Sequence, residues 1–274
     1  EEPATWNPET VLIVDEDSPC YTACDRRLHS PLVYEMRSQY FRMGAPFGIH
    51  LLSDLVAGNV PPAKVYFFAN CYRLDAVQRE AVLRTTRGKT AVWFYGGGFL
   101  GETADDANLL QMTGMTVKRS APKPGKVAPE NPAQGLASGL ETPFGTETVL
   151  DPLWTVEEPE SEVIARYSSG AVAVAAKQTP DGLRVYIGVL HCPAKLLRNI
   201  LNASGVHVYT ETDDVVLTDG HFFSVTATAE GTKSLLFAQP ETVTDILDNS
   251  VLAEKTVQLP LDMVRGETRL FMLR

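Results

Sequence analysis

The sequence lacks any extended cluster of basic residues. Lys and Arg together number 24 against 34 Asp and Glu, so the formal net charge is −10 at pH 7. Proteins that bind nucleic acid use a basic surface to neutralise phosphate groups, and here no more than two basic residues are adjacent. The composition therefore argues against a nucleic-acid partner.

Long apolar runs are also missing. A membrane-spanning helix needs about 20 consecutive apolar residues, and no stretch approaches that length. The first ten residues, EEPATWNPET, contain neither the basic segment nor the apolar segment of a signal peptide. These features predict no membrane partner and favour a cytoplasmic location.

Cysteine is scarce, with four residues at Cys20, Cys24, Cys71 and Cys192. Four cysteines without a CxxC spacing do not form the disulfide framework of a small secreted domain, so reduced thiols are expected. Cys20, Cys24 and Cys71 could approach a common metal ion, but zinc ligands usually come in closer pairs. The sequence therefore predicts no metal site and no cofactor.

The most regular segment of the chain predicts a strand, a helix and a second strand. Val65–Ala69 is a short apolar run typical of a parallel strand buried on both faces. Asp75 and Gln78 have the spacing of a capping box that begins a helix, and Gly88 ends it. Thr90–Tyr95 re-enters the core and leads into the glycine-rich loop GGGFLG. This order is that of a βαβ unit.

Two further strands precede this unit, at Val11–Asp15 and Phe47–Leu52. Between them, Ser30 is predicted to cap a helix that Gly44 ends. An apolar stripe marks the buried face of that helix, at Leu32, Met36, Tyr40 and Met43. The alternation of strands and helices predicts an α/β fold with a flavodoxin-like, doubly wound, mainly parallel sheet.

The middle of the chain is less regular. Thr103 is predicted to cap a helix, and the proline-rich segment Ser120–Asp151 is expected to be an irregular excursion over the surface. Three strand-like segments follow, the last two joined by a hairpin turn at Asp181 and Gly182. A helix is predicted to begin after Cys192 and Pro193.

From Val206 onward the pattern changes to short β segments separated by turns. They are VHVYT, DVVLT, FFSVTAT, KSLLFA, TVQLPL and TRLFML. This change predicts two domains, an α/β domain at residues 1–205 and a small antiparallel β module at residues 206–274.

A series of phrases in a fixed order resembles one known domain. The phrases are VLIVDEDS, MGAPFGIHLLSDL, KVYFFANCYRLDAVQRE, GKTAVWFYGGGF, GLRVYIGVLHCPAKLLRNIL and SGVHVYTETDDVV. They are similar to the trimerisation-type domain of family forty-two β-galactosidases and related glycoside hydrolases, whose fold resembles class I glutamine amidotransferases. The resemblance implies a non-catalytic assembly or accessory domain in carbohydrate metabolism. Its implied partners are further copies of itself, with a trimer as the leading state, or a glycosidase barrel.

Glutamine amidotransferases place a nucleophilic cysteine at a sharp strand-to-helix turn. In this chain the corresponding position reads Gly96, Gly97, Gly98 and Phe99, without a Cys or Ser. No catalytic residue is therefore predicted. The remaining candidates are Cys71, at the end of a predicted strand, and Cys192 beside His191, at the start of a helix. At each position a packed, unreactive thiol is the more common arrangement.

The loops after the parallel strands form the remaining candidate site, because open α/β sheets bind ligands at the carboxyl ends of their strands. The predicted ligand-binding residues are Asp15, Glu16, Ser18, Asn70, Tyr72, Gly97, Gly98 and Phe99. Tyr72, Tyr95 and Phe99 could stack on a sugar ring. Three functions thus remain open: an accessory domain of a glycoside hydrolase, a module that binds carbohydrate or another small ligand, and a cysteine-dependent amidotransferase-like hydrolase.

Overall fold

A computed structural model describes residues 6–23 and 26–274, and in these ranges the strands form two separate β-sheets. The first sheet contains β1 (Thr10–Val14), β2 (Gly48–Leu51), β3 (Val65–Phe68), β4 (Thr90–Phe94), β5 (Val117–Ser120), β6 (Lys123–Pro129), β7 (Phe144–Leu150), β8 (Leu153–Val156), β9 (Glu162–Tyr167), β10 (Val172–Thr179) and β11 (Gly182–Ile187). The second contains β12 (Val215–Thr218), β13 (Phe222–Thr226), β14 (Gly231–Asp245), β15 (Val251–Met263) and β16 (Thr268–Leu273).

In the described part of the chain, six α-helices lie in the sequence range of the first sheet or directly after it. They are α1 (Arg26–His29), α2 (Arg37–Phe41), α3 (Leu52–Ala57), α4 (Ala76–Thr85), α5 (Asp106–Thr113) and α6 (Ala194–Ala203). None of the helices in the described part of the chain is both long enough and apolar enough to cross a membrane.

Half of the first sheet is parallel, in the order β2-β1-β3-β4-β11. The prediction that the first four strands share one parallel sheet is confirmed. All residues of β3 and β4 are buried, as expected for strands covered on both faces. The carboxyl ends of β1, β3 and β4 therefore meet at one edge of the sheet.

The other half of the sheet is antiparallel, so the predicted mainly parallel sheet is wrong and the sheet is mixed. The Asp181-Gly182 turn joins β10 to β11 as an antiparallel pair, because a tight hairpin turn reverses the chain. The sheet continues through β9, β6 and β7, and β8 pairs with both β10 and β5.

The segment Ser120–Asp151 is not an irregular excursion. It contains β6 and β7, which pair with each other, and β6 also pairs with β9. Pro122, Pro132 and Pro143 lie outside the strands, Pro129 ends β6, and Pro124 lies where the β6-β7 register shifts. Proline removes a backbone donor, so it occurs at bulges and edges of sheets.

Two predicted helix starts are corrected. The chain is already helical at Arg26, and Ser30 begins a π-helix (Ser30–Glu35) between α1 and α2. There the N–H of Met36 donates to the carbonyl of Pro31, a five-residue spacing. Asp105, and not Thr103, caps α5, because its carboxylate accepts the N–H of Ala107 at 2.8 Å.

Other local predictions are confirmed. Asp75 and Gln78 form the predicted capping box of α4, with both hydrogen bonds 2.9 Å long. The apolar stripe of the early helix is buried in the core of the first sheet. Helix α6 begins directly after Pro193, as the sequence indicates.

The second sheet is the predicted small antiparallel β module, with strand order β12-β13-β16-β14-β15 and its own apolar core. The prediction that VHVYT is the first strand of this module is wrong. Residues 206–214, which we call the connector, are not a strand, and Val206 and Val208 pack into the core of the first sheet. The division into domains at residue 205 stays a prediction.

Candidate functional site

Asp15 and Asn70 lie where β1 and β3 end, and they join the two strand ends. The N–H of Asp15 donates to Oδ1 of Asn70 at 2.8 Å, and Nδ2 of Asn70 donates to the carbonyl of Asp15 at 2.9 Å. The Asp15 carboxylate accepts the backbone N–H groups of Asp17 and Ser18, each at 3.1 Å. Burial raises the pKa of Asp15, although hydrogen bonds from Ser18 and Asp17 oppose this shift. The polar atoms of both side chains thus form hydrogen bonds that hold the loops after β1 and β3 in place.

Ser18 and Glu16 belong to the same loop after β1. The hydroxyl of Ser18 is buried and accepts the N–H groups of Tyr72 at 2.8 Å and Arg73 at 3.1 Å. Glu16 is exposed and accepts the hydroxyl of Ser53 at 2.5 Å. The structure therefore brings these predicted ligand residues together, but their polar atoms contact one another and the neighbouring loops.

The glycines of the loop after β4 permit close packing. A Cβ atom at Gly97 would lie 2.9 Å from the Trp93 ring, and one at Gly98 would lie 2.8 Å from Met112. Gly98 also has φ +80° and donates its N–H to the carbonyl of Cys71 at 2.7 Å. Gly97 and Gly98 are buried, and their lack of a side chain lets the loop pack closely against Trp93 and Met112.

Arg79 holds this loop from below and was not predicted from the sequence. Its guanidinium donates to the carbonyls of Gly98 at 2.7 Å and of Leu100 at 3.2 Å. It also reaches the carbonyls of Leu74 and Asn108. In the sequence Arg79 lies on a helix among other charged residues, which offers no signal that it is buried.

The aromatic residues of these loops line a pocket of about 230 Å³, here called the aromatic pocket. Its principal walls are Tyr21, Tyr72, Tyr95, Phe99 and Trp154. The Phe99 and Trp154 rings meet edge to face at 4.9 Å, and the Tyr95 and Trp154 rings at 6.3 Å. The predicted Tyr72 and Phe99 thus lie on one pocket. Trp154 was missed because β8 follows the segment that was expected to be irregular.

Two walls of the aromatic pocket carry buried polar atoms. The hydroxyl of Tyr72 has no hydrogen-bond partner among residues 6–23 and 26–274, whereas Nε1 of Trp154 lies near enough to the Tyr95 hydroxyl to act on the pKa of Tyr95 and lower it. Both residues are nearly fully buried. Buried polar atoms without partners are rare in proteins, and each invites an explanation.

Tyr95 holds a strained backbone conformation at the pocket, with φ +49°. Its hydroxyl donates to the carbonyl of Pro152 at 2.7 Å, and its own carbonyl accepts the hydroxyl of Tyr186 at 2.6 Å. Positive φ values are uncommon in residues other than glycine and concentrate at functional sites. The first hydrogen bond holds the Tyr95 ring, and the second holds its backbone.

The candidate nucleophiles lie elsewhere, inside the core. Cys71 and Cys192 are fully buried, and burial raises the pKa of both thiols, with the negative charge of Asp15 adding to the shift at Cys71. Burial also lowers the pKa of His191, which favours its neutral form. A thiol held in this state is a poor nucleophile.

The three cysteines considered for a metal site are not seen together. Cys20 is exposed, Cys71 is buried and Cys24 lies outside the described residues. Within the described ranges, no three His, Cys, Asp or Glu side chains gather as metal ligands would.

Comparison with solved structures shows that nearly the whole chain is similar in fold to part of several β-galactosidases. No family model matches the sequence, and no curated protein matches it significantly. Among solved structures, a β-galactosidase from Bacillus circulans sp. alkalophilus is similar to 97% of this chain at TM-score 0.68 and 13% identity. Gan42B, a GH42 β-galactosidase from G. stearothermophilus, is similar to 97% of it at TM-score 0.63 and 13% identity. The β-galactosidase of Halorubrum lacusprofundi is similar over 100% of the chain at TM-score 0.65 and 14% identity.

These alignments cover only part of the other proteins. The chain corresponds to 42% of the Bacillus protein, 40% of Gan42B and 42% of the Halorubrum protein. At identities this low the similarity concerns the fold. The expected resemblance to a part of family forty-two β-galactosidases is thereby confirmed at the level of the structure.

Proposed function

We propose that this chain is a non-catalytic accessory domain of a β-galactosidase-like glycoside hydrolase, with a role in carbohydrate metabolism. The observation that carries the proposal is the match of 97% to 100% of this chain to about two-fifths of three β-galactosidases. A chain that matches about two-fifths of each larger enzyme over nearly all of its own length fits a module beside a catalytic barrel.

The state of the thiols supports a non-catalytic role. Cys71 and Cys192 are buried with raised pKa values, and the glycine loop at residues 96–98 offers no Ser or Cys in their place. An amidotransferase-like reaction needs an accessible, activated nucleophile. The cysteine-dependent alternative is therefore disfavoured on physical grounds.

An exposed apolar surface supports association with another protein surface. Leu217, Ser224 and Leu270 are cross-strand neighbours on β12, β13 and β16, and Ile246 adjoins Leu270. With Phe222 these residues line a shallow groove, and Leu217 and Phe222 are each 49% exposed. We call this surface the apolar face. Contiguous apolar surface of this kind marks interaction sites in soluble proteins. A second copy of the chain, within a trimer, or a glycosidase barrel would cover it.

The parallel half of the first sheet supports the finer fold expected from the sequence. We infer a flavodoxin-like, amidotransferase-like arrangement there, because the order β2-β1-β3-β4 continues into β11 with all neighbours parallel. The antiparallel strands β5 to β10 are then an extension of that sheet.

Light scattering over a wide concentration range tests the assembly. We expect the average mass to rise with concentration toward three copies. Leu217→Glu on the apolar face should suppress the rise, because a buried unpaired charge opposes association. Val149→Glu is the matched control, since Val149 is 55% exposed on β7 of the other sheet. A strictly monomeric mass at every concentration, or equal association of L217E and wild type, would contradict assembly through this face.

An activity assay tests the non-catalytic role on the same samples. The chain by itself should hydrolyse neither an aryl β-galactoside nor glutamine. Turnover of either compound that is abolished by Cys71→Ser or Cys192→Ser would show that the chain is an enzyme and overturn the proposal.

A further inference from the structure

A groove lies between α6, the loop at residues 135–136 and one face of the first sheet, and we call it the α6 groove. Its volume of about 640 Å³ is within the roughly 300–1,000 Å³ of sites that hold small molecules. The half-buried Leu183 of β11 and the exposed Ala203 of α6 give it an accessible apolar floor. A ligand with an apolar body can therefore lie along the groove.

Three amide side chains line the α6 groove, and each directs its nitrogen toward the protein. Nδ2 of Asn199 donates to the carbonyls of Leu136 at 3.0 Å and Ser138 at 2.7 Å. The nitrogens of the exposed Asn202 and Gln178 donate to a carboxylate and to a backbone carbonyl, each at 3.2 Å. The three amide oxygens have no donor among residues 6–23 and 26–274. These amides thus present acceptors to the groove.

The charges at the groove favour a cation. The exposed Glu162 accepts the N–H of Leu136 at 2.6 Å, and none of the described lining residues is basic. The nearby Lys177 is shared by Glu158 at 2.8 Å and by Glu160, which also lines the groove, at 3.4 Å. Three carboxylates therefore face one ammonium group, which leaves two negative charges unbalanced.

We infer that the α6 groove binds a short aliphatic diamine, a molecule with an ammonium group at each end of an alkyl chain. An ammonium group has three donors and no acceptor, so it matches carboxylates and amide oxygens that lack donors. The alkyl chain matches the apolar floor, as the stem of a lysine side chain packs on apolar surface. A neutral diol has the same shape but gains no attraction from the two unbalanced charges. This inference goes beyond the accessory role and does not depend on it.

Titration of the whole chain with 1,5-diaminopentane at low ionic strength tests the site, followed by backbone amide chemical shifts. We expect a dissociation constant of about 1 mM, with shifts centred on Leu136, Glu162 and Gln178. Salt at about 0.5 M should weaken binding, because it screens charges at an exposed groove. The matched ligand is 1,5-pentanediol, which has the same chain length and neutral ends and should leave these amides unshifted.

The double substitution Glu160→Gln and Glu162→Gln should weaken diamine binding about tenfold, because it removes two charges. It keeps a side-chain oxygen for the N–H of Leu136, and an otherwise unchanged amide spectrum would show that the fold is intact. The control is Glu80→Gln with Glu254→Gln, which changes the net charge equally at two exposed positions outside the groove. This control should bind the diamine as wild type does.

Four results would overturn the inference. The first is the absence of shifts in the groove at diamine concentrations up to about 20 mM. The second is equal binding of the diol and the diamine. The third is equal affinity of the groove variant and the control variant. The fourth is tighter binding of Ca²⁺ with the same amide shifts, which would assign the groove to a metal ion. Self-association is measured separately, so failure here leaves the accessory role unaffected.

Discussion

Asp214 of the connector and Lys233 of β14 form an ion pair that shows how single residues stabilise this chain. Asp214 is completely buried and Lys233 is 5% exposed, and their charged atoms lie 3.2 Å apart. Asp214 also accepts the hydroxyl of Thr212 at 2.5 Å and the N–H of Thr228 at 2.8 Å. Burial alone would raise the pKa of Asp214, but these hydrogen bonds and the charge of Lys233 outweigh it, so the pKa is lowered.

Asp214→Asn should destabilise the protein strongly. The substitution leaves the ammonium group of Lys233 buried without its counter-charge, which costs about 3 kcal/mol in the free energy of unfolding at neutral pH. Urea unfolding measures this difference. Glu230→Gln, an exposed carboxylate-to-amide change in the same module, is the control and should change stability by less than about 0.5 kcal/mol. Equal stability of the two variants would contradict the role assigned to the pair.

The same pair predicts a pH dependence. Because the folded pKa of Asp214 is lowered, its contribution to stability is present above the unfolded value of about 3.9 and is lost as the pH falls through the folded value. The stability difference between wild type and D214N should therefore be constant near neutral pH and shrink below about pH 4. A difference that persists unchanged to pH 2 would refute this assignment.

At the scale of elements, Arg79 ties α4 to the glycine loop after β4 and to α5. Its guanidinium donates to the carbonyls of Gly98 and Leu100 in the loop and of Asn108 in α5. The side chain is 7% exposed, so these carbonyls have little access to water. The floor of the aromatic pocket thus depends on a residue that lies outside it.

Arg79→Met should lower the free energy of unfolding by about 3 kcal/mol, because buried carbonyl groups lose their donors. Arg84→Met on the same helix is the matched control, since Arg84 is exposed and should tolerate the change. Urea unfolding of both variants gives the comparison. The backbone amide chemical shifts of Gly98 and Leu100 should also change in R79M but not in R84M. Unchanged shifts in R79M would contradict the role assigned to the Arg79 hydrogen bonds.

At the scale of the whole molecule, the connector joins the two sheets. Arg198 of α6 donates to the carbonyls of Glu211 and Thr212, at 2.8 Å and 2.7 Å. The connector N–H of Tyr209 donates to the carbonyl of Gly44 at 2.8 Å, and the Tyr209 ring contacts Phe223 of the second core at 5.3 Å. The connector therefore contacts both parts of the chain.

Gly44→Ala should loosen this junction. Gly44 has φ +84°, and a Cβ atom there would lie 2.3 Å from the carbonyl oxygen of Thr210 in the connector. Gly58→Ala is a matched control, because Gly58 has φ +77° but no atom within 4 Å of an added Cβ. Both variants lose about 1 kcal/mol from backbone strain, and G44A should lose about 2 kcal/mol more from the clash. Unfolding in urea measures the two losses. Equal values would show that the connector moves to accommodate the added Cβ atom without loss of stability, and would contradict the prediction.

The sequence by itself determined the local elements. Strands β1 to β4, the capping box of α4, the β10-β11 hairpin and the start of α6 were predicted because each depends on neighbouring residues: an apolar run, a cap, a turn or a proline. It also placed Tyr72 and Phe99 at strand ends, and hence at one edge of a parallel sheet. Part of the aromatic pocket was therefore predictable.

Only the tertiary structure decided which distant segments meet. The prolines of residues 120–151 indicated a loop, but pairing of β6 with β9 and β7 outweighed that local preference. That pairing and the adjacent β8 bring Trp154 to Tyr95 and Phe99, and packing buries Arg79 beneath the glycine loop. Likewise, VHVYT alternates like a strand, yet Val206 and Val208 are buried by the first core and their backbone is not in a strand. Each of these contacts joins residues far apart in the chain, so its energy is set by the packed partner and leaves no local pattern.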